Sequence, residues 1–255
     1  MDYPQQKQSK ILIIGETCID RYTRGSCNRL SPEAPVPVFR AIDTTTKAGM
    51  AANVNSNIIS LGQSSTFITN KLKIIKTRLI DIKSKQHVLR VDEKDSCEPL
   101  DIKDLDNLLC EKYDATIISD YNKGFLSPDT LSRIINKLPK PIFVDSKKRD
   151  LSPFEGCILK INDRERDLAT FIPSSSKLVV TLGDLGAEWD ETIYPAEKIH
   201  DVFDVCGAGD TFLASLVVHY CQFKNIKDAV VFANKCASIT VQKSGVYSIE
   251  LKDIL

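Results

Sequence analysis

The chain alternates short apolar segments with helical patterns, and this alternation restricts its possible folds more than any other feature. The apolar segments are rich in β-branched residues without alternating polar positions, and lie at 11–15, 64–69, 115–119, 141–145, 157–161 and 177–181. Such strands are buried on both faces, as in a parallel sheet. Helical patterns lie at 51–61, 101–111, 127–138, 163–169, 208–223 and 226–242. The order predicts a doubly wound α/β domain with a mainly parallel central sheet.

Two segments interrupt this order. Residues 21–48 contain several prolines followed by an extended stretch, and residues 77–92 alternate apolar and polar side chains around a Ser-Lys turn. The second pattern indicates a hairpin with one solvent-facing side. We expect the two regions, about 21–48 and 77–97, to form a small β-flap against the main sheet. The length of 255 residues suits a single domain.

The composition excludes several functional classes. Lys plus Arg and Asp plus Glu each number 34, so no excess charge points to nucleic acid or to an anionic membrane. The eight cysteines form no C-x-x-C pair and the three histidines have no partner at ligand spacing, which favours free thiols over disulfides or a zinc site. The N-terminus lacks a signal-peptide core, and no segment is long enough to span a membrane. These features are typical of a soluble cytoplasmic protein.

Polar or small residues follow the predicted strands where each one ends. They are Asp20, Asp120, Asp145, Asn162 and the segment 181–183, Thr-Leu-Gly. Ligands bind beyond the carboxyl ends of parallel strands, so these residues together indicate a binding site at one edge of the sheet. Each of them alone is an ordinary turn residue.

The segment DVCGAGDTFLAS, at 204–215, places a small-residue turn and an acid at the start of an apolar helix. Gly207, Ala208 and Gly209 allow backbone N–H groups to approach a phosphate, and the helix dipole favours an anion there. Asp210 either caps the helix or accepts a proton in phosphoryl transfer. The dipole should also lower its pKa. The chain has neither a P-loop motif nor a dinucleotide-binding fingerprint.

DVCGAGDTFLAS resembles the C-terminal signature of the ribokinase-like, pfkB-type carbohydrate kinases. Further segments, RLSPEAPVPVF, AANVNSNIISLG, ISDYNKGFL, IFVDSKK and FANKCASITVQKSGV, are similar to the kinase domain of the bifunctional heptose 7-phosphate kinase/adenylyltransferases. The resemblance covers nearly the whole chain. It implies a three-layer α/β/α fold with a mainly parallel sheet and a small β-flap that acts as a lid.

The resemblance implies the following roles. Asp210 would be the general base, and Gly207, Ala208 and Gly209 the anion hole for the γ-phosphate. The sugar side would be formed by Asp20, Gly49 and Asn53, with Lys123 and Lys147 near the phosphates or the sugar phosphate. Asn162 and Glu165 would organise Mg²⁺ and its waters, and the nucleotide would be bound by Thr181, Gly183, Gly186 and Asn234. The implied reaction is transfer of the ATP γ-phosphate to the anomeric hydroxyl of heptose 7-phosphate.

Ordinary structural roles are alternatives for several of these residues. Asn53 and Asn162 could be a helix cap and a turn residue, and Glu165 a first-turn acid favoured by the dipole. The run 147–149, Lys-Lys-Arg, could be a solvated turn. Only the joint agreement of these positions with one family favours the functional roles.

The sequence departs from the family pattern in three places. The family's Gly-Gly is Gly49-Met50 here, which adds bulk beside the sugar site. Only the segment 71–76 connects the second strand to the flap, where the family has a further helix and strand. The exposed sheet surface could be buried by a second copy, so we expect a homo-oligomer, most simply a dimer. The third departure is the absence of an adenylyltransferase domain.

Three functions are therefore consistent with the sequence. They are a heptose 7-phosphate kinase, a kinase of another sugar or sugar phosphate, and a degenerate kinase fold that only binds its ligands or a protein partner. The intact Asp210, Asn162 and Glu165 favour an enzyme, whereas Met50 and the missing unit favour the degenerate form.

Overall fold

An eight-stranded sheet forms the centre of the fold. The computed structural model describes residues 8–106, 108–199, 202–243 and 245–254. Across the sheet the strands are β4 (Ser64–Ile68), β1 (Lys10–Gly15), β7 (Ala115–Asp120), β8 (Ile142–Ser146), β9 (Ile158–Asn162), β10 (Lys177–Thr181), β11 (Ala187–Trp189) and β12 (Thr192–Tyr194). The first six are parallel, as predicted, and the last two are antiparallel. The short strands β11 and β12 were not predicted.

Helices cover both faces of this sheet. The helices are α1 (Ala51–Ser60), α2 (Lys103–Asp106), α3 (Pro128–Ile134), α4 (Asp163–Leu168), α5 (Ala208–Phe223), α6 (Ile226–Thr240) and α7 (Leu251–Ile254). The long helices α1, α5 and α6 pack on one face, and α2 and α3 on the other. The predicted helix over 101–111 is reduced to α2 and a 3₁₀ turn, and that over 127–138 ends as a 3₁₀ turn after α3.

The core explains why the predicted strands have no polar alternation. In β1, Ile11 and Ile13 pack with α1, α5 and α6, whereas Leu12 and Ile14 pack with α2 and α3. Both sets are fully buried. Helices on both faces of the sheet make the architecture a three-layer α/β/α sandwich. A strand covered on both faces needs an apolar residue at each position, which explains the absence of polar alternation.

A second sheet forms the expected lid. Its strands, in spatial order, are β3 (Arg40–Met50), β2 (Thr17–Ser26), β5 (Ile74–Asp81) and β6 (His87–Glu93). The antiparallel pair of β5 and β6 confirms the predicted hairpin, with its turn between 82 and 86. Asp20 lies inside β2, not in a loop after β1 as the sequence suggested, because β2 begins only two residues beyond β1.

The missing helix and strand leave β4 at the edge of the main sheet. β4 pairs with β1, and the chain then passes through 69–73 directly into β5 of the lid. Ile59 and Leu72 in this region are each 56% exposed. The expected exposure of apolar side chains is therefore present; its burial by a second copy stays a prediction.

Two further expectations concern cysteines and membranes. None of the eight cysteines takes part in a disulfide within the described residues, and four of them are buried. Within the same residues, no helix combines the length and the apolar character that crossing a membrane requires.

Candidate active site

Asp210 lies in the first turn of α5, and its side chain does not cap the helix. The N-cap is Gly207, in the left-handed conformation with φ 82°. Tyr121 Oη donates a hydrogen bond of 2.6 Å to Asp210 Oδ1, and Asn53 Nδ2 donates one of 3.0 Å to Oδ2. The capping role considered for Asp210 is therefore wrong. Its carboxylate is held between a strand-end tyrosine and a residue of α1.

Burial sets the proton affinity of Asp210. Burial raises its pKa to about 6, although the hydrogen bonds from Tyr121 and Asn53 act in the opposite direction. The net change is opposite to the lowering expected from the helix dipole, because loss of solvation costs the carboxylate more than the two donors return. A carboxylate with a pKa near 6 is a suitable proton acceptor at neutral pH.

Gly207 and Gly209, in the turn before Asp210, have little room for a side chain. A Cβ on Gly207 would lie 2.7 Å from Asn53 Nδ2, and one on Gly209 would lie 3.0 Å from Lys160 Nζ. Because Gly207 has no side chain to cap α5, the N–H groups of the first turn have no side-chain capping oxygen, and that of Ala208 donates to the Val205 carbonyl at 3.3 Å. The turn combines these donors with the positive end of the helix dipole, which suits an anion.

A buried polar network fixes Asn53. Its amide also donates to the Gly207 carbonyl at 3.5 Å, and its Oδ1 accepts a hydrogen bond of 3.2 Å from Asn57. Asn57 in turn accepts from Thr211 and from the backbone of Ile249. Asn53 is fully buried inside α1, so it is not the helix cap considered from the sequence.

A chain of ion pairs runs from the turn to α4. Lys160 Nζ lies 2.7 Å from Asp145 Oδ2, and Lys147 Nζ lies 2.7 Å from Asp145 Oδ1 and 2.6 Å from Glu165 Oε1. Although burial acts to raise it, the two lysines lower the pKa of Asp145 to about 2. Lys147 is thus part of a bridged network. Lys148 binds the buried Asp120, so the solvated-turn alternative is wrong for these two lysines, whereas Arg149 is exposed.

Asn162 and Glu165 form a capping box at the start of α4. Asn162 Oδ1 accepts from the Glu165 N–H at 2.7 Å, and Glu165 Oε2 accepts from the Asn162 N–H at 2.9 Å. Within the described residues, no group of three His, Cys, Asp or Glu could hold a metal alone. Mg²⁺ usually needs only one or two carboxylates, with waters and substrate phosphates as its other ligands. The oxygens of Asn162 and Glu165 fit that chemistry.

Asp20 lies against the backbone of Gly49. A Cβ on Gly49 would lie 1.9 Å from Asp20 Oδ2, so only glycine fits there. Asp20 Oδ1 accepts a hydrogen bond from the buried Arg78 of β5, whose guanidinium lies 5.4 Å from the Tyr22 ring centre. The lid therefore brings an arginine to the predicted sugar side.

Tyr121 joins the lid to the main sheet. Lys76 Nζ of β5 and Lys147 Nζ each lie 5.6 Å from the centre of its ring. Burial, Asp210 and Asp145 raise the pKa of Tyr121 well above its ordinary value, so it stays a hydroxyl donor. The backbone N–H groups of the same loop, at Tyr121, Lys123 and Phe125, donate to the buried Glu16 carboxylate.

Met50 adopts a backbone conformation that favours glycine. Its φ is 61° and its ψ is −135°, at the N-cap of α1. Its buried side chain packs with Cys18 and Ile74, in a cluster that Tyr121 also contacts. The bulk expected beside the sugar site is therefore accommodated under Tyr121, with a strained backbone.

Lys123 lies in the same loop as Tyr121, but its ammonium has a different partner. Its ammonium pairs with Asp95, beyond the end of β6, and not with the turn at 207–209. Lys47 of β3 donates to the carbonyl of Val246, so the lid also contacts the segment after α6.

The predicted nucleotide residues form a second group. Thr181 is paired in register with Asn162 at the ends of β10 and β9. Gly186 has φ 103°, and a Cβ there would lie 2.1 Å from the Tyr194 carbonyl, to which Asn234 Nδ2 donates at 2.8 Å. Gly183 has φ 61° in an open 3₁₀ turn. Among the described contacts, only the Thr181–Asn162 pairing joins this group to the first.

Sequence reasoning missed several residues of the site: Tyr121, Lys160, Arg78, Lys76, Glu16 and Asn57. Lys160 carried a readable signal, because a lysine inside the apolar strand CILKI must be paired if it is buried. The others gave no local signal, since their roles depend on contacts with segments far away in the sequence.

The chain is similar to known carbohydrate kinases. Residues 158–253 match the model of the pfkB family carbohydrate kinase. The bifunctional protein HldE of Campylobacter jejuni subsp. doylei is 32% identical over 303 residues, which cover 100% of this chain and 66% of that protein. HldE of Helicobacter acinonychis is 33% identical over 303 residues, covering 96% of this chain and 65% of the relative. The chain thus spans slightly less than two thirds of their length.

Solved structures are similar in fold. Phosphofructokinase-2 from Escherichia coli, in complex with potassium, superposes with a TM-score of 0.77 at 15% identity and covers 96% of this chain and 97% of its own. Arabidopsis thaliana ribokinase, complexed with ribose and ATP, gives a TM-score of 0.73 at 15% identity and covers 96% of both chains. The fold is ribokinase-like, as the sequence motifs implied.

Proposed function

Because the chain belongs to the pfkB family of carbohydrate kinases, we propose that it transfers the γ-phosphate of ATP to a hydroxyl of a phosphorylated sugar, with Asp210 as general base. The observation that carries the proposal is the placement of Asp210. Its buried carboxylate, held by Tyr121 and Asn53, stands directly beside a turn that suits a phosphate.

The chemical step does not require a strong base. The sugar oxygen bonds to the γ-phosphorus as the bond to the β,γ-bridging oxygen breaks, and the hydroxyl proton passes to Asp210. The transition state of such transfers is loose, so positioning and electrostatics contribute most of the rate. A carboxylate with a pKa of about 6 is ionised at neutral pH and ready to accept this proton.

The turn would hold the transferred phosphoryl group, and the oxygens at α4 would act on it only through Mg²⁺. Gly207, Ala208 and Gly209 present backbone N–H groups to the γ-phosphoryl group. When Mg²⁺ is bound, it neutralises charge on the phosphate oxygens. Asn162 and Glu165 would hold it through waters, with Thr181 beside them in the sheet. The nucleotide base would lie over the second group, at Gly183, Gly186 and Asn234.

The sugar would lie between the lid and Asp210. Asp20 and the Gly49 backbone would contact its hydroxyls, and Asn53 would do so beside the base. Arg78, Lys76 and Lys47 of the lid, with Lys123 farther out, make this side basic, which suits a phosphate on the sugar. The motif resemblance specifies heptose 7-phosphate, phosphorylated at its anomeric hydroxyl.

The test is release of ADP by purified protein with ATP, Mg²⁺ and a panel of free and phosphorylated sugars, heptose 7-phosphate among them. Asp210→Asn should lose nearly all turnover, at least about 1,000-fold, while the exposed-residue control Asp129→Asn should keep it. Preference for another sugar would correct the substrate and keep the kinase. Calorimetric binding of a sugar phosphate without any turnover would replace the enzyme by a binding protein.

A further inference from the structure

Lys160 is a buried lysine in the middle of a core strand. Its side chain is 4% exposed, and its neighbours Leu159 and Ile161 are fully buried in the core on the α2 and α3 side. Side chains alternate along a strand, so Lys160 points to the opposite face, with Ile158, where α5 packs. A lysine in such a place is costly unless its charge is used or paired.

The ammonium group of Lys160 lies against the turn that precedes Asp210. A Cβ built on Gly209 would lie 3.0 Å from Lys160 Nζ, tighter than side chains normally pack. Gly209 thus has a second reason to be glycine, besides exposing its backbone. The ammonium also lowers the pKa of Asp210, against the larger effect of burial, so the two charges interact.

The chain of ion pairs Lys160–Asp145–Lys147–Glu165 has a positive end and a negative end. Asp145 is shared by Lys160 and Lys147, while Glu165 neutralises only Lys147. The positive end of the chain, Lys160, therefore faces the turn for the phosphoryl group. The negative end, Glu165, faces the corner where Mg²⁺ would be held.

We propose that Lys160 is a catalytic residue that contacts the γ-phosphoryl group and stabilises its charge during transfer, which rests on the proposed kinase function. It forms and breaks no covalent bond. Its part is to supply a fixed cation, oriented by Asp145, at the position where the phosphoryl oxygens meet the N–H groups of the turn. A lysine that only balanced Asp145 would have no such effect on the reaction.

The test compares Lys160→Met with Lys148→Met, which removes a similarly buried lysine from its pair with Asp120. In Lys160→Met we expect kcat to fall about 100- to 1,000-fold with the KM for sugar nearly unchanged, as when one oxyanion donor is removed. Lys148→Met should change kcat by no more than a few fold. The double variant Asp145→Asn/Lys160→Met, which removes both charges of the buried pair, decides the matter if Lys160→Met does not fold.

Nucleotide binding gives a readout that does not depend on turnover. Lys160→Met should bind a non-hydrolysable ATP analogue at least about tenfold more weakly than wild type, with unchanged affinity for AMP. Wild-type levels of both kcat and analogue affinity in folded Lys160→Met or in the double variant would overturn the proposal for Lys160 alone. If wild type phosphorylates no sugar, the kinase function fails, whereas a Lys160-dependent analogue affinity would still place this lysine at the γ-phosphate.

Discussion

At the scale of single residues, the site depends on how one carboxylate is held. Asp210 has one donor for each oxygen, from Tyr121 and Asn53, and it is buried. Burial and hydrogen bonding act in opposite directions on its pKa, with burial the stronger. Changes to either effect should therefore move the pH dependence of the reaction in a known direction.

Removal of the Tyr121 hydroxyl should shift the acidic limb of the pH–rate profile upward. Asp210 accepts a proton only when ionised, so kcat/KM of wild type should decline as pH falls through about 6. The Tyr121 hydrogen bond lowers the Asp210 pKa, so in Tyr121→Phe the decline should begin about one pH unit higher. Tyr113→Phe, at a tyrosine bonded to Glu111, is the control and should keep the wild-type profile. An unshifted limb in Tyr121→Phe would contradict this assignment.

Asp210 should also cost the protein stability at neutral pH. Its folded pKa of about 6 lies above the ordinary value of 3.8, so the folded state binds the extra proton and stability falls as pH rises from about 4 to 6. Two pKa units correspond to at most about 3 kcal/mol. Asp210→Asn should therefore raise the free energy of unfolding at pH 8, measured with urea, and the gain should shrink toward pH 4. A variant less stable than wild type at pH 8 would refute this.

At the scale of elements, the junction of β3 and α1 combines two constraints. Gly49 must be glycine because Asp20 occupies the space of its side chain, and Met50 must adopt a positive φ to start α1. Such a backbone costs about 1–3 kcal/mol in a residue other than glycine. The Met50 side chain offsets this cost by packing with Cys18 and Ile74.

Alanine usually gives a more stable helix than glycine, and we expect the opposite order of stability for substitutions at Met50. Both lose the packing of a buried methionine, worth about 2–5 kcal/mol, but only Met50→Gly also relieves the backbone. In urea unfolding, Met50→Gly should then have a lower free energy of unfolding than wild type. It should exceed that of Met50→Ala by about 1 kcal/mol or more. In an unstrained helix interior, alanine would be the better of the two. Greater stability of Met50→Ala would show that the strain is not real.

The elements themselves follow from the sequence to a large extent. Continuous apolar strands required cover on both faces, and the long helices followed from periodicity. The strands β11 and β12 could not be predicted, because three residues are too few to show a period. The sequence suggested a loop position for Asp20, which lies in β2, because the chain passes from β1 into the lid without a recognisable turn.

The site was only partly readable for a related reason. Asp210, Asn53 and Glu165 lie in local motifs, which can be recognised from the sequence alone. Tyr121 and Arg78 act through long-range contacts, at a sequence separation of 89 residues for Tyr121 and Asp210 and of 58 for Arg78 and Asp20 on the neighbouring lid strand. No periodicity or spacing encodes such a meeting, which depends on the assembled fold.

At the scale of the whole molecule, the open edge at β4 predicts self-association. Ile59 and Leu72 are more than half exposed near an edge strand, and exposed apolar surface of this kind tends to be covered by a second copy. We expect a dimer by light scattering, and a shift toward monomer in Ile59→Arg/Leu72→Arg. Ile82→Arg, at an exposed lid position, serves as the control. A wild-type monomer at high concentration would contradict the prediction.

The buried Glu16 makes the site depend on a residue that belongs to none of the proposed ligand contacts. One carboxylate, at the single residue between β1 and β2, accepts the N–H groups of Tyr121, Lys123 and Phe125, and thereby fixes the loop that presents Tyr121 to Asp210. A substitution there would leave every ligand-contacting side chain in the sequence unchanged and still misplace the base. Two chains with identical pockets can therefore differ in activity, and an inventory of pocket residues would not reveal which of them has lost it.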